Sequence, residues 1–425
     1  MKSVENQMGM KNVEQIRNPE LEAFMEAEHK LTPLSPDLLI QNYRAAADPV
    51  EQIYLSTPYD ESSLRVRCVY SPEGPVYTAT RKGRGEMEGK ALKRPEMNIA
   101  ISPEAFAFYQ SLDFPKVQKF RTQLVEGVTV DFYDDTKEPV IVEVEHEDPT
   151  ERARLIEYMQ SENKNTLLDR SDDPSLTNEA IAHRVSGKEK LQSSESLEAF
   201  THRVLGEMIA QYATGKKQVV VGLTGMSGSG KSTVARALQE RLTNLFGEAY
   251  RPLIVSTDDY HFGKKKLEAV HGAPYVDWDA AHTYNTPELA FDLAKLAEGY
   301  PMIKRYFDFD SEEAVFDEEL PLSPFIIVEG IYAGSKDLEA VRDLHFDLPT
   351  SIATSVDWDL HRMANRANRA FPTAEDRFRH QIEVAIPAFL RLERPSRKGF
   401  SASTRPLAER AFMLGRYAEL ESVTR

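Results

Sequence analysis

Between Glu26 and His146 apolar and polar residues alternate in short runs broken by turn residues. Ser63–Val69, Val76–Thr80, Gly127–Tyr133 and Pro139–Glu145 each put apolar side chains on one face and polar or charged ones on the other. Period-two alternation predicts strands with one buried face. From Asp148 to Lys217 the pattern is polar and helical. Leu197, Phe200, Val204 and Met208 recur at helical spacing and predict an amphipathic helix over Glu195–Tyr212. The pattern then changes again. Val219–Leu223, Leu253–Ser256 and Phe325–Val328 are continuous apolar runs separated by helical stretches. Runs of that kind predict strands buried on both faces of a parallel α/β sheet.

These changes divide the chain into residues 22–188, a connector at 189–216, and residues 217–425, in keeping with a length of 425 residues. The formal charge of −16, from 52 basic and 68 acidic residues, argues against a chain that wraps nucleic acid. Anionic small ligands need only a local positive pocket and are not excluded. A single cysteine, Cys68, excludes an internal disulfide and a multi-cysteine zinc cluster. The start is polar, and no apolar run reaches membrane-spanning length, so the expected location is cytoplasmic with no membrane partner. Oligomeric state is left open.

The strongest local chemistry lies in Gly225-Met-Ser-Gly-Ser-Gly-Lys-Ser232, which fits G-x-x-x-x-G-K-[ST] between a buried strand and a helix. Such a loop turns backbone N–H groups toward phosphate oxygens. Gly225, Ser227, Gly228, Ser229, Gly230, Lys231, Ser232 and Thr233 are therefore expected to hold ATP. Lys231 would reach the β- and γ-phosphates, and the Ser232 hydroxyl would bind Mg²⁺. Asp258 closes the second apolar run, where it would accept an acceptor hydroxyl's proton; a helix cap is the alternative role for Asp258 or Asp259. Glu329 ends the third run and would organise the Mg²⁺ shell. Arg362, Arg366 and Arg369 share a helical face, and Arg366 is the candidate for closing over the transferring phosphoryl group; an exposed charged helix is the plainer reading.

Residues 218 to about 400 resemble the uridine kinase and phosphoribulokinase group of P-loop kinases. The matching stretches are the phosphate loop, Ser256–Tyr260, Tyr275–Asp279, Tyr306–Phe309, Val328–Ile331, the arginine-bearing helix and Ile386–Phe389. The resemblance implies ATP- and Mg²⁺-dependent phosphorylation of a hydroxyl, with Asp258 as base and Asp279 and Tyr306 on the acceptor. One stretch departs: the His and Arg that uridine kinases carry after Tyr306–Phe309 are absent from Asp310–Val315.

In the first part the charges are sorted by strand. Glu26, Glu28 and Lys30 share a face; so do Arg65 with Arg67, Lys119 with Arg121, and Glu143 with Glu145. Lys82, Glu96 and Asp131 complete the set. An ordinary sheet with one wet face is one reading; a closed barrel lined by carboxylates for Mg²⁺ or Mn²⁺ and by cations for phosphate is the other. The ordered set Glu26-x-Glu28-x-Lys30, Arg65-x-Arg67, Thr80-Arg-Lys82, Lys119-x-Arg121 and Glu143-x-Glu145 resembles the CYTH domain, or triphosphate tunnel metalloenzyme fold, over about residues 22–188. That resemblance implies an antiparallel β-barrel. In it Glu26, Glu28, Glu96, Asp131, Glu143 and Glu145 would hold metal, and Lys30, Arg65, Arg67, Lys82, Lys119 and Arg121 would hold a tri- or pyrophosphate. Asn98 stands where the family pattern has a further Glu. The combined expectation is a kinase for a small hydroxyl acceptor joined to a metal-dependent phosphohydrolase, or one catalytic domain regulated by a phosphate-binding one.

Overall fold

The computed structural model describes residues 25–57, 60–89, 91–134, 138–162, 167–187, 195–272, 278–308, 311–364 and 373–391. The chain forms two compact units: Met1–Gln192 with Asp357–Ile382, and Ser193–Val356 with Glu383–Arg425.

The first unit is an antiparallel barrel. Its strands are β1 (Met25–Pro33), β2 (Asp48–Tyr54), β3 (Ser63–Ser71), β4 (Gly74–Lys82), β5 (Glu86–Glu88), β6 (Ala91–Ala100), β7 (Lys116–Val125), β8 (Val128–Tyr133), β9 (Ile141–Glu145) and β10 (Leu167–Asp169). Eight of them close a ring in the order β1-β9-β8-β7-β2-β3-β4-β6, with β6 pairing back onto β1; the short β5 and β10 lie alongside β6 and β1. Closure removes the open edges that a sheet this long would otherwise expose. The barrel is polar inside. On β3, Leu64, Val66 and Cys68 are buried while Arg65 and Arg67 line the interior. On β9, Val142 and Val144 join a core with Leu39, Val130 and Met159, while Glu143 and Glu145 face the cavity. Period two is thus satisfied by an apolar jacket outside and charge within.

The second unit is a parallel sheet in the order β12-β15-β11-β16, built from β11 (Val219–Thr224), β12 (Leu253–Ser256), β15 (Phe325–Gly330) and β16 (Leu344–Asp347). β13 (Met302–Asp308) and β14 (Glu313–Leu320) form a separate antiparallel pair. β11 and β15 are buried along their whole lengths. One apolar cluster joins Val219, Val221 and Phe325 to Leu238 of the helix Lys231–Phe246. Another joins Val220, Ile326 and Val328 to Leu289 and Leu293 of the helix Thr286–Ala297. Strands with both sides covered are what the continuous apolar runs require. β16 is absent from the three strands that the pattern predicts, because His345 and Asp347 interrupt its four residues.

Two boundaries differ from the expected ones. The amphipathic segment is the helix Leu197–Ala213. It buttresses the second unit as part of its core, since Phe200, Val204 and Met208 are fully buried against Val219, Leu223 and Phe346. The described residues 357–364 and 373–382, expected with the second domain, belong to the first unit. Among the described residues no helix is long and apolar enough to cross a membrane.

Candidate functional site

The barrel encloses a cavity of about 670 Å³, lined by six cationic and eight carboxylate side chains. Register explains the arrangement. The β1–β9 ladder sets Glu28 opposite Glu145 and Lys30 opposite Glu143. Lys82 lies opposite Glu96 across β4–β6, and Arg65 opposite Thr80 across β3–β4. Carboxylate oxygens of Glu26, Glu28 and Glu145 lie within 4.8 Å of one another. Lys82 donates to both Glu26 oxygens at 2.5 and 2.6 Å and pairs with Glu96 at 3.0 Å. Lys30 bonds Glu28, and Arg121 bonds Glu143.

The electrostatics follow from this crowding. Burial alone would raise the Glu28 carboxyl, but Lys30, Lys82 and Arg94 outweigh it and hold it at about 2. Glu145 is pushed the other way, to about 7, by burial and then by Glu143 and Glu26. A buried carboxylate with like charges for neighbours is a group that a cation would relieve. The three convergent carboxylates supply hard oxygen donors of the kind that Mg²⁺ and Mn²⁺ take, so Glu26, Glu28 and Glu145 fit a divalent ion.

Of the residues expected here, Glu26, Glu28, Glu96, Glu143, Glu145, Lys30, Arg65, Arg67, Lys82 and Arg121 line the cavity. Lys119 and Asp131 do not; each is 1% exposed. Lys119 donates to Asp131 at 2.6 Å and to Asn178 at 2.8 Å. Arg121 clamps both Asp131 oxygens at 2.7 Å. The reason is depth. Lys119 shares a strand face with Arg121, but the start of the helix Asn178–Val185 occupies that part of the barrel interior, and Asn178 takes bonds from both Lys119 and Tyr133. Asn98 also lines the cavity, donating to Glu96 at 2.5 Å and accepting from Thr80 at 2.6 Å.

Sequence reasoning missed Arg94, Tyr54, Asn178 and Glu179 as cavity residues. Arg94 was findable, because it sits two residues from Glu96 and so on the same strand face. Asn178 and Glu179 fall in Leu176–Ala182, which resembles the CYTH domain's C-terminal helix entry; the stretch marks the helix, and only tertiary packing brings these two side chains to the cavity. Glu179 accepts from Ser56, and burial pushes its carboxyl up to about 7 against the hydroxyls of Ser56 and Ser63.

In the second unit the phosphate loop joins β11 to the helix Lys231–Phe246. Gly230 caps that helix with φ of 91°, a left-handed conformation natural to glycine. A Cβ on Gly225 would collide with the Ser229 hydroxyl, which is buried with no hydrogen-bond partner among the described residues. Lys231 Nζ donates to the Met226 carbonyl at 2.7 Å. The Ser232 hydroxyl donates to Glu329 Oε1 at 3.2 Å, which joins the two residues expected around Mg²⁺. A tight glycine loop with an orphan hydroxyl and a Ser–Glu pair fits a nucleotide phosphate with its ion. Loss of hydration, then Glu329, Asp279 and Asp259, push the Asp258 carboxyl up to about 7 against the pull of Lys231.

Gly228 is left-handed as well, Ser227 is half-buried, and Thr233 is exposed on the helix's first turn. Beside Asp279 the His261 ring meets Trp278, Tyr284 and Phe307 at centroid distances of 4.8, 5.2 and 4.9 Å. Burial lowers His261 to about 4, which leaves it neutral. Tyr306, on β13, is 39% exposed. Arg362 pairs with Asp359 at 2.6 Å, and Arg366 and Arg369 lie outside the described residues.

Residues 220–395 match the model of the Phosphoribulokinase / Uridine kinase family. A uridine kinase of Geobacillus sp. (strain WCH70) is 26% identical over 187 residues, covering 43% of this chain and 84% of that protein. The inorganic pyrophosphatase TTM1 of Arabidopsis thaliana is 27% identical over 184 residues, covering 42% of this chain and 26% of that protein. Among solved structures, a putative fructose transport system kinase from Silicibacter sp. TM1040 is 21% identical, covering 45% of this chain and 96% of its own, with a TM-score of 0.38. A structure described as an inorganic triphosphatase is 24% identical, covering 37% of this chain and 93% of its own, with a TM-score of 0.23.

Proposed function

We propose that this chain, whose second half carries a Phosphoribulokinase / Uridine kinase family domain, is a two-site phosphate enzyme. Its tunnel hydrolyses tripolyphosphate, pyrophosphate or a nucleotide. Its phosphate loop transfers a phosphoryl group from ATP to a hydroxyl of a nucleoside-like or other small acceptor. The observation that carries the tunnel reading is the convergence of Glu26, Glu28 and Glu145 beside buried cations in one cavity.

In the tunnel Arg65, Arg67, Lys82 and Arg121 would take the phosphate oxygens; guanidinium groups suit such bidentate contacts. Glu26, Glu28 and Glu145 would hold a divalent ion, which when bound supplies charge neutralisation and an activated water. In the second unit Lys231 would hold the β- and γ-phosphates, with Ser232 and Glu329 at the ion. Asp258 would take the proton of the attacking hydroxyl, and Asp279 would orient the acceptor against the Trp278, Tyr284 and Phe307 rings.

The test is a screen of phosphate release across tripolyphosphate, pyrophosphate and nucleotides with Mg²⁺ or Mn²⁺, and of transfer from ATP to hydroxyl acceptors. Glu28→Ala should remove release and spare transfer; Lys231→Ala should do the reverse. Release from none of these and transfer to no hydroxyl would refute the proposal. A second reading, in which the tunnel only binds its ligand, rests on Asn98, which presents an amide beside Glu96. Under that reading Lys231→Ala would abolish triphosphate hydrolysis.

A further inference from the structure

The tunnel wall includes one side chain from far outside the barrel sequence. Glu375, in the helix Ala374–His380, lines the cavity although every other lining residue falls between Met25 and Glu179. It comes from the stretch matched by the kinase family model, yet it is part of the barrel unit. Its helix is held firmly. Arg379 donates to the Ala100 carbonyl at the end of β6, and Tyr109 donates to the Ile382 carbonyl at 2.6 Å. Asp357, at the start of the segment, pairs with the buried Arg81 of β4. Asp359 is fully buried and gathers Arg377 and Gln381, each at 2.6 Å.

Register fixes which end this is. Ala100 pairs with Thr78, and Thr78 pairs with Arg67. Glu26 and Glu28 pair with Arg94 and Leu92, at the other end of β6. Arg379, one turn from Glu375, therefore ties the helix to the Arg67 end of the barrel, away from Glu26 and Glu28, while Asp357 reaches Arg81 farther along β4. Arg67 is itself short of counter-charge: burial, then Arg65 and Arg121, lower its guanidinium to about 10.

We propose that Glu375 sets ligand selectivity at the Arg67 end of the tunnel. Its exposed carboxylate opposes long or highly charged phosphate chains and favours short ones. The inference rests on the phosphate-tunnel reading. An exposed charge acts through water and is screened by salt, so the effect is graded rather than absolute.

The test uses the full chain carrying Lys231→Ala, so that the phosphate loop does not compete, and calorimetric titration with tripolyphosphate and pyrophosphate. Glu375→Gln should tighten tripolyphosphate by about threefold at low salt and Glu375→Lys by about tenfold, both fading at high salt. Pyrophosphate should change less, and Glu375→Asp should match the parent. A merely structural role would weaken binding in the Gln and Lys variants alike. Tripolyphosphate affinities unchanged across the series, or weakened equally, overturn the inference while the tunnel reading stands. A parent that binds neither phosphate overturns that reading, and the inference with it.

Discussion

Asp131→Asn separates two roles that the strand pattern alone confuses: metal ligand and buried counter-ion. The Asp131 carboxylate accepts one bond from Lys119 at 2.6 Å and two from Arg121 at 2.7 Å. Burial alone would raise its pKa, but Arg121 and Lys119 outweigh it and keep it ionised. The amide keeps the shape and removes the charge that holds the Lys119 ammonium, which burial and then Arg121 already lower to about 7. Arg121 loses the same partner and keeps Glu143. Breaking a buried pair from one side costs about 3–5 kcal/mol, against the ~5–15 kcal/mol that holds a domain together. The chain has two units, so a single global transition would be ambiguous. The suitable readout is hydrogen exchange of peptides from β7, β8 and β9 under native conditions, where protection should fall by the same free energy. Replacing Lys119 as well, as Lys119→Met with Asp131→Leu, should recover a large part of the loss, because no uncompensated charge remains from the pair. A loss below about 1 kcal/mol in Asp131→Asn would refute the counter-ion account. An intact barrel that no longer binds Mg²⁺ or Mn²⁺ would restore the metal-ligand role.

Three further outcomes follow from the same geometry. Ionising Glu179 in the folded state costs about 3 kcal/mol if its carboxyl moves from 4.5 to about 7. Because the folded pKa is raised, the folded state binds the extra proton, and stability is lost as pH rises between about 4.5 and 7. Glu179→Gln should reduce that slope, to which Glu145 also contributes, as read by hydrogen exchange of barrel peptides across this pH range, and an unchanged slope would contradict the assignment. Gly330 has φ of 146°, and a Cβ there would strike Thr257, so Gly330→Ala should cost about 1–3 kcal/mol and displace Glu329. Thermal unfolding and the phosphoryl-transfer rate check it together. Tyr109→Phe should cost about 1–2 kcal/mol, read as faster exchange in residues 373–382, since the Ile382 carbonyl loses its partner.

Much of both units was legible in the chain. Continuous apolar runs placed β11 and β15, because a strand covered on both faces has no polar position to spare, and they placed β12 too, although that edge strand is only partly buried. The glycine loop announced its own conformation, and Gly230 adopts it. Period-two alternation told which charges share a strand face, since side-chain direction along a strand is a local property. It therefore found eight of the cavity residues, including Glu26, Glu28 and Glu145, while Lys82 and Glu96 entered through the family resemblance.

Local direction carries no information about depth or about distant segments. Lys119 and Arg121 point the same way from β7, yet only Arg121 reaches the cavity, because the helix Asn178–Val185 takes the space before Lys119. The helix Leu197–Ala213 read as a connector or buttress, since amphipathicity shows that a face must be covered and not what covers it. Residues 357–364 and 373–382 read as part of the kinase half, and packing assigned them to the barrel unit through Arg81, Ala100 and Tyr109. The longer strands of both sheets, the phosphate loop and the charges that share a strand face were readable from the chain, because these follow from interactions a few residues apart; the interrupted β16 was not. Only tertiary structure decided which charges meet a ligand and which neutralise one another, since that choice depends on strand register and on elements brought from elsewhere in the chain.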